Sequence, residues 1–153
     1  MASALSALSG KQIITHNLSA ALILASQEND HAIVVAGGVI RGADGSLTGA
    51  KTCHDIQSYH ADCAVISASG LDSFGNVLDF DIEKVAVKQA MMNASGRKIL
   101  LLDSSKFHKR GAVKVARLCD FDLCITNAPP TDTYIELFAA SATPLEIAGC
   151  EAS

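Results

Sequence analysis

The sequence predicts a single domain of the α/β class with a mostly parallel sheet. The chain has 153 residues, of which 49% are hydrophobic and 18% charged, and this is enough for one domain with a real core. Short apolar runs rich in Val, Ile and Leu alternate with segments of helical pattern. Because these runs lack an alternation of apolar and polar residues, we expect strands buried on both faces. Such strands are typical of parallel sheets whose crossovers are right-handed helices.

The first part of the chain contains two predicted strands, a hairpin tip and three helical segments. Glycine is favoured just after the end of a helix, and asparagine is favoured at its start. The run RGADGS from Arg41 to Ser46 has the composition of a hairpin turn. The predicted elements are a helix end over Ala4 to Leu8 closed by Gly10, a strand over Gln12 to Thr15, a helix from Asn17 to Ala25, a strand over Ala32 to Ala36, the hairpin tip and a helix over Thr52 to Tyr59.

The remainder of the chain contains four predicted strands and two predicted helices. Each strand is a short β-rich run that ends in small or polar residues, and the first helix has apolar residues three to four positions apart. The predicted elements are a strand over Cys63 to Ser67, a helix over Asp81 to Ala94 with Ile82, Val85, Ala86, Ala90 and Met92 on one face, strands over Ile99 to Asp103 and Leu123 to Thr126, a helix from Pro129-Pro130 through Leu137, and a strand over Leu145 to Ala148.

The composition argues against several functional classes. The net charge of -4 and the aromatic content of 5% disfavour a segment that itself holds nucleic acid, since this needs clustered Lys and Arg or stacking aromatic rings. No apolar run approaches the roughly 20 residues that span a bilayer. Without a basic start and an apolar signal segment, we expect a cytoplasmic protein with no membrane partner.

The sequence predicts no metal site and no cofactor. The five cysteines are an odd number without regular spacing, so we expect reduced thiols that serve as small core residues. A paired CxxC arrangement is absent, as are a Walker loop, a GxGxxG fingerprint and a nucleophile elbow.

Three short strings suggest a pocket for a small anion. They run from Ser67 to Asp72, from Asp79 to Met91 and from Leu101 to Phe107. The first and third combine a buried strand with a polar turn, and the second opens a helix that carries Lys88. Polar groups just outside the carboxyl ends of parallel strands are where α/β proteins bind small ligands.

Each charged residue in these strings has two interpretations. Asp72 could accept hydrogen bonds from sugar hydroxyls or act as a general base, or it could bond its own backbone in a turn. Asp103 and Lys106 could line a cleft as acid and base, or they could be a cap and a surface lysine. Lys84 and Lys88 lie four residues apart on the helix, and their negative partner could be Asp79, Asp81 or a bound phosphate. Lys88 lies beside apolar neighbours.

Two further segments offer groups that suit an anion. Gly37-Gly38 could expose backbone N–H groups near the guanidinium fork of Arg41, which suits a phosphate or carboxylate, although a glycine pair is usually just a turn. Asn17 lies at a helix start, which attracts anions, although plain N-capping is the simpler interpretation.

The order of these motifs resembles the effector-binding domain of DeoR-family bacterial transcriptional regulators. The resemblance extends from about Leu5 to Ala148. The motifs that carry it, in order, are Thr15-His16-Asn17-Leu18, Gly37-Gly38 with Arg41, Ser67-Ala68-Ser69-Gly70-Leu71-Asp72, Asp79-Phe80-Asp81 with Val87-Lys88 and Ala90-Met91, Leu102-Asp103-Ser104-Ser105-Lys106-Phe107, and Ile125-Thr126-Asn127.

The resemblance implies a fold, a ligand and partners. Such domains have a three-layer α/β/α fold similar to ribose-phosphate isomerase and glucosamine-phosphate deaminase, bind phosphorylated sugars or related metabolites, and generally self-associate. A helix-turn-helix that binds operator DNA normally precedes them; it is absent from this chain, as is the family's Gly-Ser/Thr-rich phosphate loop. By motif position, the cleft would be lined by Asp72, Lys88, Asp103 and Lys106, with Asn17, Gly37, Gly38 and Arg41 on neighbouring loops.

The leading hypothesis is therefore the ligand-sensing domain of a DeoR-type repressor, which is not an enzyme. One alternative is a sugar-phosphate isomerase or deaminase on the same fold, which would need a positioned acid and base next to a held phosphate. Another is a domain that only mediates oligomerisation and has lost its pocket.

Overall fold

The computed structural model describes residues 10–26 and 30–149. The chain divides into two compact units, Met1–Tyr59 and His60–Ser153, and each is described by itself. The helix end predicted over Ala4 to Leu8 lies outside the described residues.

The described residues of the first unit form two small sheets and two helices. Its elements are β1 (Gln12–Thr15), α1 (Leu18–Ala25), β2 (Ala32–Val35), β3 (Val39–Arg41), β4 (Ser46–Thr48) and α2 (Ala50–Gln57). Strands β1 and β2 pair in parallel, and β3 and β4 form an antiparallel hairpin. The predicted elements from Gln12 onward, including the hairpin tip, are thus confirmed within a few residues.

The second unit is built on a four-stranded parallel sheet. Its elements are β5 (Ala61–Ser67), β6 (Gly70–Leu71), β7 (Asn76–Asp79), α3 (Ile82–Asn93), β8 (Ser95–Leu102), β9 (Val113–Arg117), β10 (Leu123–Thr126), α4 (Asp132–Ser141) and β11 (Leu145–Ile147). The strand order is β11-β10-β8-β5, with every pairing parallel. The predicted α/β class with a mostly parallel sheet is confirmed, and the flanking helices are consistent with a three-layer α/β/α fold.

A second sheet in this unit was not predicted. Strands β6, β7 and β9 form an antiparallel sheet, with an irregularity in the register between Val77 and Leu78. Strand β6 has two residues and β7 has four, so neither shows a recognisable apolar period. Their pairing depends on β9, which is distant in sequence, and local patterns do not report such contacts.

Helix α3 is buried on two opposite sides. Val85 and Met92 belong to the core cluster of this unit, whereas Val87 and Ala90, which are also buried, lie on the other side of the helix. Ile82 is 66% exposed. The predicted single apolar face is therefore wrong at Ile82 and at Ala86, which is also exposed, because burial from two sides removes the one-sided helical period.

The cysteines differ from one another in burial. Cys124 is buried in the core, and this burial raises the pKa of its thiol to about 12. Cys63 and Cys119 are exposed, so their predicted role as core residues is wrong. Cys63 is exposed because β5 is an edge strand of the parallel sheet. Cys150 lies outside the described residues. Among the described helices, none has the length and apolar character needed to cross a membrane.

Candidate functional site

Three parallel strands of the second unit end at one level. The register places Ser67 of β5 beside Leu101 of β8, and Leu102 of β8 beside Thr126 of β10. The carboxyl ends of β5, β8 and β10 therefore form one edge, which we call the carboxyl edge. The polar residues that follow these strands are consequently brought to the same side of the sheet, as the sequence predicts.

The turn after β8 is held by hydrogen bonds at the carboxyl edge. Asp103 caps a short 3₁₀ helix, because its Oδ1 accepts a hydrogen bond from the amide N–H of Ser105 at 2.9 Å. The amide N–H of Ser104 donates to Oδ1 of Asn127, which follows β10, at 2.7 Å. The turn is thereby tied to the neighbouring strand end, and Lys106 is its last residue.

The electrostatics of this turn are set by nearby donors and cations. Hydrogen bonds from the side chain and amide of Ser105 lower the pKa of the Asp103 carboxyl, and the charges of Lys106 and Lys109 lower it further. Asp103 is exposed, whereas Lys106 is partly buried. Asp103 therefore acts as a cap, and Lys106 follows it at the end of the short helix. A role for either residue in ligand binding stays a prediction.

Lys88 is bonded to Asp79. Its Nζ donates to Oδ2 of Asp79 and, at 2.7 Å, to the carbonyl oxygen of Ser67. The other carboxylate oxygen of Asp79 accepts hydrogen bonds from Oγ of Ser69 at 2.7 Å and from the amide N–H of Phe80 at 2.8 Å. Among the partners that the sequence suggested for Lys88, the structure supplies Asp79.

The charge of Asp79 is stabilised in spite of its burial. Desolvation raises the pKa of this carboxyl, but the hydrogen bonds from Lys88, Ser69 and Phe80 outweigh it, and the pKa lies below its ordinary value. The side chains of Lys88 and Asp79 are 12% and 10% exposed. A paired ammonium of this kind has one proton left for a further acceptor.

Asp72 closes the turn between β6 and β7. Its Oδ1 accepts hydrogen bonds from the amide N–H groups of Phe74 at 3.0 Å and Asn76 at 2.8 Å, and its Oδ2 accepts one from Nδ2 of Asn76 at 2.9 Å. Desolvation raises the pKa of this carboxyl, but these hydrogen bonds lower it by more. The turn interpretation of Asp72 is confirmed, and a ligand-binding role stays a prediction.

Two buried hydroxyl groups of this unit belong to Tyr134, which the sequence did not single out, and to Thr126 of the last motif. The hydroxyl of Tyr134 donates to the carbonyl oxygen of Leu71 and accepts from the amide N–H of His108, each at 2.8 Å. Its partners lie 63 and 26 positions away, so no local pattern reveals the contact. Oγ1 of Thr126, at the carboxyl edge, is buried with no hydrogen-bond partner among the described residues. A buried polar atom of this kind points to an additional partner, such as a ligand or a water.

In the first unit, Gly37-Gly38 packs tightly against α2. The amide N–H of Gly37 donates to Oδ2 of Asp55 at 2.9 Å, and its carbonyl oxygen accepts from Oγ1 of Thr52 at 2.6 Å. A Cβ atom at Gly38, whose φ is +153°, would lie 2.0 Å from Oγ1 of Thr52. The glycines permit this close approach, and the N–H of Gly37 that the sequence offered to an anion is already bonded to a carboxylate.

Asn17 and Arg41 belong to different elements of the first unit. Oδ1 of Asn17 accepts a hydrogen bond from the amide N–H of Ala20 at 2.8 Å, and its Nδ2 donates to the carbonyl oxygen of Asp44 at 2.9 Å. The capping interpretation of Asn17 is confirmed. Arg41 ends β3 and is exposed. Anion-binding roles for both residues stay predictions.

A cleft of about 480 Å³ in the second unit lies beside the first half of β8. Its lining includes Gln89 and Asn93 of α3, Lys98 of β8 and Asp120. The cleft is therefore separate from the turn that carries Asp103. Among the described residues, no group of three or more His, Cys, Asp or Glu side chains is placed to hold a metal ion.

Comparisons with known proteins identify a family. The model of the family described as "DeoR C terminal sensor domain" matches residues 1–128. The chain is 33% identical over 139 residues to the glycerol-3-phosphate regulon repressor of Escherichia coli (strain K12), which covers 91% of this chain and 55% of that protein. It is 28% identical over 125 residues to the HTH-type transcriptional repressor GlcR of Bacillus subtilis (strain 168). This similarity covers 82% of this chain and 48% of that protein.

A shorter similarity extends to a relative that is named as an activator. The chain is 35% identical over 85 residues to the L-fucose operon activator of Haemophilus influenzae, which covers 56% of this chain and 34% of that protein. The chain spans about half the length of the curated relatives it matches most extensively.

Proposed function

The chain belongs to the DeoR C-terminal sensor domain family, and from this premise we propose that it binds a phosphorylated sugar or a related metabolite at the carboxyl edge. Binding then controls the attachment of a helix-turn-helix, outside this chain, to operator DNA. Several relatives of this chain are named as repressors, which supports a regulatory role. We also propose that the protein is cytoplasmic and works as a homo-oligomer.

The observation that carries this proposal is the carboxyl edge itself. Three strands end at one level there, and the turn with Asp103 and Lys106 is tied to Asn127 on the next strand. Hydroxyl and amide groups can recognise sugar hydroxyls, and a lysine can recognise a phosphate. The buried hydroxyl of Thr126 at the same edge supports a ligand there.

Control of DNA binding requires a ligand that discriminates between two states. The sugar phosphate must bind one arrangement of the sensor domain, or of its oligomer, more tightly than another. The favoured arrangement then changes how the helix-turn-helix segments meet their half-sites on the operator. The net charge of -4 supports a division in which this segment holds the ligand and another segment holds the DNA.

Binding without turnover is the expected chemistry. Isomerisation or deamination of a sugar phosphate needs an acid and a base that are free to move a proton. The carboxylate of Asp72 accepts three hydrogen bonds within its turn, and the ammonium of Lys88 is paired with Asp79. These contacts favour a structural role for both groups over proton transfer.

Calorimetry against a panel of sugar phosphates tests the proposal. Glycerol 3-phosphate, ribose 5-phosphate and glucose 6-phosphate are titrated into the protein, each beside its unphosphorylated parent compound. We expect saturable binding of at least one phosphate ester and none of its parent. Binding of no phosphate ester contradicts the proposed function. Turnover well above background in a coupled isomerase or deaminase assay supports the enzyme instead.

A further inference from the structure

The cleft beside the first half of β8 has an apolar floor. Its volume is about 480 Å³, which falls within the range of about 300–1,000 Å³ that is usual for small-molecule sites. The floor is formed by Met92 of α3 and by Val115 and Ala116 of β9, which are all buried. The little surface that these side chains expose suits the apolar part of a small ligand.

Two amide side chains of α3 line the cleft beside this floor. Gln89 and Asn93 are four residues apart and lie on the same face of the helix. Nε2 of Gln89 donates to the carbonyl oxygen of Val115 at 3.0 Å, which fixes this amide at the floor. Across residues 10–26 and 30–149, Oε1 of Gln89 and the amide of Asn93 have no hydrogen-bond partner. Both side chains can therefore form hydrogen bonds with a ligand.

The rest of the lining supplies one cation and one anion. Lys98 shares a face of β8 with Leu100 and Leu102, which belong to the core cluster, because side chains alternate along a strand. The side chain of Lys98 therefore lies on the core side of the sheet, where α3 also packs. Asp120 ends a short 3₁₀ helix after β9, and its Oδ2 accepts a hydrogen bond from the amide N–H of Arg117 at 2.7 Å. This bond orients the carboxylate and leaves its Oδ1 for another donor.

The two charges of the cleft are not paired. Within the described part of the chain, the Lys98 ammonium and the Asp120 carboxylate form no ion pair with each other or with another side chain. Two further charged residues are bonded to them, since Oδ2 of Asp122 accepts from the amide N–H of Lys98 at 2.7 Å and Asp120 accepts from that of Arg117. Asp122 and Arg117 have opposite charges, and neither lines the cleft. The lining therefore offers one positive and one negative group at once.

We propose that this cleft binds a free α-amino acid with an apolar side chain. The α-carboxylate contacts the ammonium group of Lys98, the α-ammonium group contacts Oδ1 of Asp120, and the side chain packs on the apolar floor. The amides of Gln89 and Asn93 supply further hydrogen bonds. A ligand with a single charge would leave Lys98 or Asp120 unmatched, and a phosphate ester, with a charge of about −1.5 to −2, would be repelled by Asp120. The inference does not rest on the proposed function, because the cleft is separate from the carboxyl edge.

Calorimetry with amino acids and their singly charged analogues tests the class of ligand. L-Leucine, L-methionine and L-valine are titrated into the protein. The one that binds most tightly is compared with its amide, which lacks the carboxylate, and with the same acid without its amino group. We expect saturable binding of at least one amino acid and roughly tenfold weaker binding of both analogues, because each analogue loses a charge-assisted hydrogen bond. Equal affinity for either analogue would overturn the inference.

Charge-removing variants test the place of binding. Lys98→Gln removes the cation, and Asp120→Asn removes the anion but keeps an acceptor for the amide N–H of Arg117. Lys114→Gln and Asp62→Asn are the matched controls, because both residues are exposed and neither lines the cleft. We expect each cleft variant to lose affinity for the amino acid by roughly tenfold and the controls to keep it. The melting temperatures of all four variants without ligand are expected to agree with that of the unaltered protein.

The possible outcomes separate this inference from the proposed function. Binding of no amino acid overturns the inference, as does full affinity in both cleft variants. Loss of affinity in only one of Lys98→Gln and Asp120→Asn indicates a ligand with a single charge and also overturns it. Competition between the amino acid and a phosphate ester would place both in one site and overturn it too. If no phosphate ester binds, the proposed function fails, and the amino-acid titrations alone decide the inference.

Discussion

Lys88 and Asp79 form an ion pair that joins helix α3 to the end of strand β7. The same ammonium donates to the carbonyl oxygen of Ser67, the last residue of β5. Because β7 belongs to the antiparallel sheet and β5 to the parallel one, this lysine connects both sheets of the second unit. It lies at the strand ends where the ligand is proposed to bind, so it contributes to the framework of the site.

Loss of the Lys88 ammonium is expected to destabilise the protein. Lys88→Met leaves the mostly buried Asp79 without its cation, and breaking such a pair costs about 3 kcal/mol in the free energy of unfolding. Lys51→Met breaks an exposed pair with Asp55, in which Lys51 is 69% exposed, and is expected to cost less than about 1 kcal/mol. Urea unfolding of both variants at pH 7 checks this difference. Equal costs would contradict a structural role for the buried pair.

The stability conferred by Asp79 is expected to depend on pH. Its folded pKa lies below the ordinary value of 3.8, so the folded state favours the carboxylate. The stabilisation is therefore present above the unfolded pKa and is lost as the pH falls from about 4 through the lowered folded pKa. Urea unfolding between pH 2.5 and 6 measures it. Asp79→Asn is expected to show a shallower loss of stability in acid, and an unchanged slope would argue against this prediction.

Removal of the Asp72 carboxylate tests whether this residue stabilises the β6–β7 turn or binds the ligand. Asp72→Ala deletes three hydrogen bonds of the β6–β7 turn and is expected to lower the free energy of unfolding by about 1–3 kcal/mol. Asp72→Asn keeps an acceptor for the amide N–H groups and is expected to cost less. The exposed Asp62 provides the control Asp62→Ala. A variant of normal stability that has lost affinity for sugar phosphates would instead indicate contact with the ligand.

Two glycines of the first unit distinguish a steric clash from backbone strain. In Gly38→Ala the new Cβ lies 2.0 Å from Oγ1 of Thr52 and 2.7 Å from the carbonyl oxygen of Thr48. In Gly49→Ala, φ is also positive at +104°, but no heavy atom lies within 4 Å of the new Cβ. We expect Gly38→Ala to lose about 1–3 kcal/mol more than Gly49→Ala in urea unfolding. Similar losses would show that strain, and not contact with Thr52, fixes this loop.

The strands and helices with strong local signals were predicted well. The strands Gln12–Thr15 and Leu123–Thr126 have the bounds expected from their apolar runs. Helix α3 begins one residue after the predicted start at Asp81, which caps it through its side chain. Strand β8 begins at Ser95, earlier than predicted, because Arg97 pairs with Cys63 of β5. The local sequence around these polar residues does not reveal the neighbouring strand with which they pair.

The sequence predicted polar residues at neighbouring strand ends but not the hydrogen bonds that they make. The motif order led to the family that the comparisons confirm, and Asp103, Lys106 and Asn127 do lie at neighbouring strand ends. The sequence left the partner of Lys88 open, because the carboxylate of an aspartate and a bound phosphate are both anionic acceptors for an ammonium group. The structure supplies Asp79 as that partner.

The sequence by itself determined the α/β class, the parallel strands and the family, because these follow from apolar periodicity, capping residues and the order of short motifs. Only the tertiary structure decided which charges are already balanced. It pairs Lys88 with Asp79, places Asp72 in a turn, and ties the loop after β8 to the hydroxyl of Tyr134. The physical reason is that the charge available to a ligand depends on contacts between residues distant in the chain.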